Sequence, residues 1–318
     1  MRRRREERRL AADGPDFERR ASALLAALKD EGWGVRERVF WDLRERLQDD
    51  HDSLLYALKV YRRFFAAYRR LTARDEAPES VLELGPGRNL AIGVLAHVSG
   101  TAHYAGGDLN PKHRGRPAWF YEVLLREIEA VPGLLIANEQ ERRAAPERCR
   151  SLMGDAIARG DEMTLAGGAI RYVCPCNAQA LPFEACSFNL VFSNAVFEHF
   201  HDPGLALREL RRVLRPGGLG IHKIDLRYHR DQSRPLSHLA FTEAEWEERR
   251  SRHGWTNRWR RDDYLRAGRD AGLHTIEADV TRRATITPAD REAMQPEFRN
   301  LSDEALSPLG LWAAFRAP

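Results

Sequence analysis

An α/β fold built on a doubly wound sheet is predicted by three observations. From residue 81 to the C-terminus, short apolar runs alternate with helical patterns. The first run, "VLEL" at 81–84, passes through "GPG" directly into an apolar helix pattern. The chain of 318 residues, 43% hydrophobic and 31% charged, is globular in composition and long enough for one large domain with additions.

The elements follow in order. Residues 1–79 are predicted to form a helical extension: Leu54, Leu58, Tyr61, Phe65 and Tyr68 recur at helical spacing, and Asp52 or Ser53 can cap them. Shorter patterns around Leu24, Leu25 and Leu28, and around Phe40, Leu43 and Leu47, predict two earlier helices. The extension carries no catalytic constellation and is assigned to packing or to a lid. The main domain is 80–318. Its first strand is "VLEL" and its first helix "NLAIGVLAHV"; "AHYAGGDLN" is a second strand, ending at Asp108. "AIRYVCPCN", "FNLVFSNA" and "GLGIHKIDL" supply the third, fourth and fifth strands. "RDDYLRAGRDAGL" is helical, and "HTIEADVTR" and "LWAAFRA" are the sixth and seventh strands.

Two stretches exceed minimal alternation. A structured insertion, 111–168, separates the second strand from the third and contains the helix "AWFYEVLLREIEAV". The other, 226–260, is dense in His, Arg and Trp and is expected to cap the acceptor side.

Composition excludes several classes. No apolar run approaches the ~18 residues of a membrane span, and "MRRRREERRL" is not followed by the apolar segment of a secretory signal. A cytoplasmic protein, monomer or homodimer, is the expectation. Cys149, Cys174, Cys176 and Cys186 lack the density of a disulfide scaffold and the spacing of a zinc site, so buried or half-buried thiols and no metal are expected. Net charge is +4 with acids and bases interleaved, and lysine occurs only at 29, 59, 112 and 223. No one-sided basic stripe or nucleic-acid module appears, so no nucleic-acid partner is expected.

The glycine loop narrows the ligand. Glycines after a strand let backbone amides approach an anion at the helix start. A dinucleotide fingerprint would need a third glycine where Leu90 stands, and no G-K-[ST] follows for a P-loop. Glu83-Leu84-Gly85-Pro86-Gly87 instead resembles the E/D-x-G-x-G motif of class I S-adenosylmethionine-dependent methyltransferases. "NAQALPFEACSFNLVFSNAVFEHFHDPGLALRELRRVLRPGG", 177–218, is similar to that superfamily's run "DAExLPFxxxSFDxVxSxxxLEHxxDPxxxLxExxRVLKPGG". Together the matches cover roughly 81–225.

The resemblance implies a Rossmann-like, seven-stranded sheet and S-adenosylmethionine as cofactor, with S-adenosylhomocysteine as product. It implies cofactor contacts at Glu83 (ammonium), Gly85 and Gly87 (methionine end), Asp108 (ribose hydroxyls) and Leu109 (adenine face). Asn177 and the amide of Ala178 would meet the adenine edge, and Asn194 ends the fourth strand among the cofactor-side residues. Three positions depart from the pattern: Asn89 replaces the motif's third glycine, Asn177 an aspartate, and Asn189 the aspartate of "SFD".

Methyl transfer is an in-line displacement that needs alignment, and a base only when the acceptor must lose a proton. His199, Asp225 and His229 are the candidates for the acceptor side, with His199 first. His222 and Asp225, three apart on one strand, point to opposite faces, so only one can line the site. Ser193-Asn194-Ala195-Val196 lacks the [DNS]-P-P-[YFW] of DNA amino-methylating enzymes, and Pro175-Cys176 lies on the third strand rather than where cytosine C5 enzymes carry their nucleophile. Trp246, Trp255 and Trp259 among arginines suit either a sugar-bearing or anionic acceptor or an ordinary amphipathic cap. The expectation is O-, N- or C-methylation of a small molecule. A methyltransferase of tRNA or protein, and a non-catalytic cofactor-binding protein, stay open beside it.

Overall fold

The stripe that begins at Leu54 forms helix α1 (Leu54–Thr72), and all five of its predicted face residues are buried. The computed structural model describes residues 54–111, 118–130, 132–153, 164–253 and 256–318. The two helices expected around Leu24–Leu28 and Phe40–Leu47, and Trp255, lie outside the described residues. The chain divides into two compact units. One holds the described residues up to Ser80 with Pro86–Cys174; the other holds Val81–Gly85 with Pro175–Pro318.

In the first unit, the Tyr61 hydroxyl of α1 pairs with Ser99 Oγ and accepts the Ile136 N–H at 3.0 Å. Helix α2 (Ala91–Val98) is buried at seven of its eight positions, which is why it shows an apolar run rather than a stripe. Strand β2 (His103–Gly107) pairs in parallel with β4 (Ile170–Val173). Gly106 is required by close approach: a Cβ there would lie 2.9 Å from Pro86 Cγ, so the glycine lets the loop after residue 85 lie against β2. The insertion holds the expected helix, α3 (Ala118–Ala130), and a second one, α4 (Glu139–Ser151), started by an Asn138–Glu141 capping box. It ends in β3 (Thr164–Leu165), a two-residue strand antiparallel to β4. Eight strands are therefore described where seven were expected.

In the second unit, β1 (Ser80–Leu84) pairs in parallel with β5 (Phe188–Asn194), and β5 in parallel with β6 (Leu214–Asp225). The last strand, β8 (Pro308–Arg316), is antiparallel to both β6 and the edge strand β7 (His274–Arg283). Helix α5 (Pro203–Val213) is capped by Asp202, whose Oδ1 accepts the Leu205 N–H at 3.0 Å. Beyond β6 lie α6 (Glu243–His253) and α7 (Arg261–Asp270).

Between β7 and β8, a stretch with no assigned element at the level of sequence carries three short helices: α8 (Pro288–Ala293), α9 (Pro296–Arg299) and α10 (Asp303–Leu306). Met294 and Leu306 from this stretch, with Leu309 of β8, pack against Leu236 and Leu239 of the segment after β6. Burying such a side chain contributes about 1.5–3 kcal/mol, so the two excursions form one apolar cluster. No helix among the described residues is long and apolar enough to cross a membrane. All four cysteines are free; Cys149 and Cys176 are buried, Cys174 is half-buried, and Cys186, against expectation, is exposed.

Candidate active site

Within the first unit, Gly87 takes a positive φ of 75° and faces open space where a side chain would stand. Asn89 departs from the glycine of the motif but has a definite job, because its Oδ1 accepts the Ala91 N–H at 3.0 Å and starts α2. Asp108 follows β2 directly and is 5% exposed. Its backbone N–H donates to the Val173 carbonyl at 3.1 Å, and the Tyr172 hydroxyl donates to its Oδ2 at 3.2 Å. The carboxylate is thus held in one orientation. The next residue, Leu109, is 56% exposed, an unusual state for a leucine beside a buried acid. An apolar side chain and a fixed carboxylate on one loop suit the base and the sugar of a nucleoside.

Within the second unit, Glu83 is buried on β1, opposite Phe192 of β5. Gly85 follows with φ 73°, and a Cβ there would lie 2.7 Å from Val196 Cγ2. Asn177 is exposed, and its Oδ1 accepts the Gln179 N–H at 3.0 Å, an Asx turn that fixes the loop. Ala178 beside it is buried. Asn194 closes β5 opposite Lys223.

The chain leaves β5 through Ala195, whose φ of 59° is rare for a residue with a side chain. Such strain, about 1–3 kcal/mol, persists only where the surroundings enforce it. Here it swings the chain into a short 3-10 turn, Phe197–His199. That turn brings the three acceptor-side candidates together. His199 is exposed, and its ring centroid lies 5.3 Å from that of His229, the planes nearly perpendicular. His229 Nε2 is 3.5 Å from Asp225 Oδ2. The Arg227 fork grips the same carboxylate, Nε reaching Oδ1 at 2.8 Å and Nη2 reaching Oδ2 at 2.5 Å. Burial pushes Asp225 up, but the Arg227 and His229 contacts outweigh it and hold the carboxyl well below the usual range. Asp225 is a fixed anion that orients an imidazole.

His222 is not part of this group. It is fully buried, 2.9 Å from Ser193 Oγ, and burial pulls it down to about 3, so it stays neutral. The expected division between His222 and Asp225 follows from the pleat.

The residues that sequence reasoning missed are Glu198, Arg227 and Asn257. Asn257 donates through Nδ2 to the carbonyls of Phe197 (3.0 Å) and Phe200 (3.3 Å), and its Oδ1 accepts from Tyr264 Oη at 3.0 Å. One amide therefore pins the turn that carries His199 to the end of the 226–260 segment. The arginines and tryptophans of that segment are largely structural. Trp246 is 3% exposed and stacks on Phe241, ring centroids 6.1 Å apart. Arg258 donates to the Phe241 carbonyl at 2.6 Å and pairs with Glu243.

A family model described as a methyltransferase domain matches residues 56–278. A putative methyltransferase of Haloferax volcanii, solved in complex with the Trm112 activator, is 23% identical, with 82% of this chain and 93% of that chain covered, at a TM-score of 0.42. A putative sarcosine dimethylglycine methyltransferase from Galdieria sulphuraria is 16% identical over 81% of this chain and 85% of that chain, at a TM-score of 0.44. Among curated proteins, uncharacterized protein YafE of Escherichia coli K12 is 49% identical over 41 residues, 13% of this chain. That match spans 20% of the relative's own length.

Proposed function

The chain belongs to the methyltransferase-domain family of the class I S-adenosylmethionine-dependent superfamily, and we propose on that premise that it methylates a small-molecule acceptor. The observation that carries the acceptor side of the reading is the Asp225–His229–His199 group at the ends of β5 and β6. The cofactor, when bound, supplies an electrophilic methyl on a sulfonium whose positive charge disappears as the methyl leaves.

This chain's residues hold and align. Asp108 would accept the ribose hydroxyls and Leu109 would cover one face of the adenine. Glu83 would meet the ammonium, with Gly85 and Gly87 giving the backbone its close approach. Asn177, Ala178 and Asn194 complete the proposed cofactor set. The fixed Asp108 carboxylate and the exposed Leu109 beside it support that assignment.

On the acceptor side, His199 would take a proton from a hydroxyl or acidic carbon. His229 is oriented by Asp225 and packs against His199, which keeps the first imidazole in place. Residues 226–260 leave from the end of β6 and return to the Phe197–Phe200 turn through Asn257, which supports a cap over the acceptor. Such a cap would bound the acceptor site, which favours a small molecule over tRNA or a protein side chain in this reading. The atom methylated is O, N or C, on a metabolite of sugar-bearing or anionic type. Interleaved charge, 51 Lys and Arg against 47 Asp and Glu, supports an enzyme without a nucleic-acid partner; a cytoplasmic location is part of the same proposal.

Asp108→Ala tests the cofactor assignment. Loss of hydrogen bonds to a charged group should weaken S-adenosylhomocysteine binding by about 1.5–3 kcal/mol, measured by calorimetry. An unchanged dissociation constant would remove Asp108 from the site, and no binding by the wild type would favour a non-catalytic role.

A further inference from the structure

Glu198 has no part in the reading above, yet it is the most deeply buried acid near His199. It is 1% exposed, and no side chain among the described residues hydrogen-bonds its carboxyl; the backbone N–H groups of Glu198 and Asp225 are the donors beside it, without well-formed hydrogen bonds. Buried polar groups are nearly always paired, and an orphan needs a reason.

The groups that face it come from each surrounding element. His199 is its neighbour on the turn, β6 contributes Lys223 and Asp225, Arg227 lies just beyond that strand, and Tyr264 faces it from α7. Asp225 already carries a charge, so a second anion beside it is opposed, and Lys223 offsets this only in part. Burial, the largest cause, pushes the Glu198 carboxyl up to about 8. The other side of the turn is fixed by hydrogen bonds, since the Asn257 backbone N–H donates to the Glu198 carbonyl and its Nδ2 to the carbonyls of Phe197 and Phe200.

We propose that Glu198 is a positioning residue: its carboxyl, shut in behind the Phe197–His199 turn beside Asp225, keeps that turn seated and His199 against His229. Once ionised, the carboxylate must reach water, and the turn moves with it. The consequence for rate rests on the reading of His199 given above; the placement of the two imidazoles does not.

Holding this acid uncharged also lowers stability in a defined pH window. The unfolded chain releases the Glu198 proton near 4.5, whereas the folded chain keeps it until about 8. Between those values the folded state binds the extra proton, so this group makes stability fall as pH rises.

Full-length wild type and Glu198→Gln are compared by thermal unfolding from pH 5 to 9 and by NMR of the His199 and His229 imidazoles. Burial also holds His222 and His238 neutral, which raises stability with pH in both proteins, so the readout is the difference: relative to Glu198→Gln, the wild-type melting midpoint should fall from pH 5 towards 8. Cross-relaxation between the two rings should fade above about pH 8. In Glu198→Gln the ring contact should persist at pH 9, and the variant should melt at or above the wild-type temperature at pH 8. Methylation should likewise lose its alkaline limb in the variant. A variant less stable than wild type at pH 8, unfolded variant included, overturns the proposal. So does ring contact with the same pH dependence in both proteins. The infrared band of a protonated carboxyl, present in the wild type at pH 7 and missing in the variant, supports it, and its absence from the wild type overturns it. None of the spectroscopic readouts requires methyl transfer, so failure of the proposed reaction is seen separately, as normal spectra without turnover.

Discussion

Replacing Arg260 with methionine is expected to lower stability by about 2–4 kcal/mol, read as a reduced urea midpoint with the tryptophans as reporters. Arg260 is 2% exposed, and among the described residues its guanidinium bonds carbonyls rather than a carboxylate. It donates to the Leu226 carbonyl at 2.9 Å, the Leu306 carbonyl at 2.8 Å, and the Pro308 carbonyl. One side chain thus joins the start of the 226–260 segment, its end, and the strand that returns to the sheet. Hydrogen bonds from a charged donor contribute about 1.5–3 kcal/mol each, and methionine would leave three buried acceptors unpaired. Part of that loss is offset, because burial pulls the guanidinium down to about 10 and methionine carries no charge to desolvate. Arg260→Lys should recover only a fraction, since one ammonium cannot span three separated carbonyls. An unchanged midpoint for the methionine variant would mean that the carbonyls find other partners.

That buried fork also shows where sequence reading stops. An arginine-rich stretch with tryptophans suits recognition of an anion or a sugar as well as it suits an amphipathic cap, and composition cannot separate the two. The folded chain turns Arg227 onto Asp225, Arg258 onto Glu243 and Phe241, and Arg260 onto three carbonyls. Those partners lie up to 48 positions away along the chain, and nothing in local spacing announces them. The helices between β7 and β8 were missed for a related reason. They are four to six residues long and polar, and they are set by Thr287 and Ser302 caps and by tertiary packing rather than by periodicity.

What periodicity and turn chemistry control was legible. The α1 stripe, the β1–glycine–α2 step and the strands read at 103–107, 170–173, 188–194 and 274–283 all stand where short apolar runs placed them. His222 is buried and Asp225 half-exposed, as two positions three apart on one strand can be. Glu198 was overlooked because attention fell on its exposed neighbour. In a tight turn adjacent side chains diverge, so an exposed His199 leaves Glu198 directed inward. The adjacency of two ionisable residues just after a strand was the available signal.

Substituting alanine for His199 is expected to slow methylation of a hydroxyl or carbon acid by about 10²–10⁴-fold, with affinity for S-adenosylhomocysteine nearly unchanged. Three features place the imidazole for that work: a strained Ala195 that turns the chain out of β5, the Asn257 clamp on the turn, and the perpendicular contact with His229. His229 has the fixed anion Asp225 behind it, so His229→Ala should cost less than His199→Ala if His229 acts through its neighbour. The reverse order would move the base to His229 and make His199 its packing partner. A neutral amine acceptor separates chemistry from alignment, because it needs no proton removed before attack. With such an acceptor His199→Ala should lose little, and the ratio of losses on hydroxyl and amine acceptors measures the share of proton transfer. Near-normal turnover of the alanine variant on a hydroxyl acceptor would leave His199 a structural role alone. A bound-state structure with the imidazole more than one water from the acceptor atom would do the same, and alignment would then have to carry the acceleration.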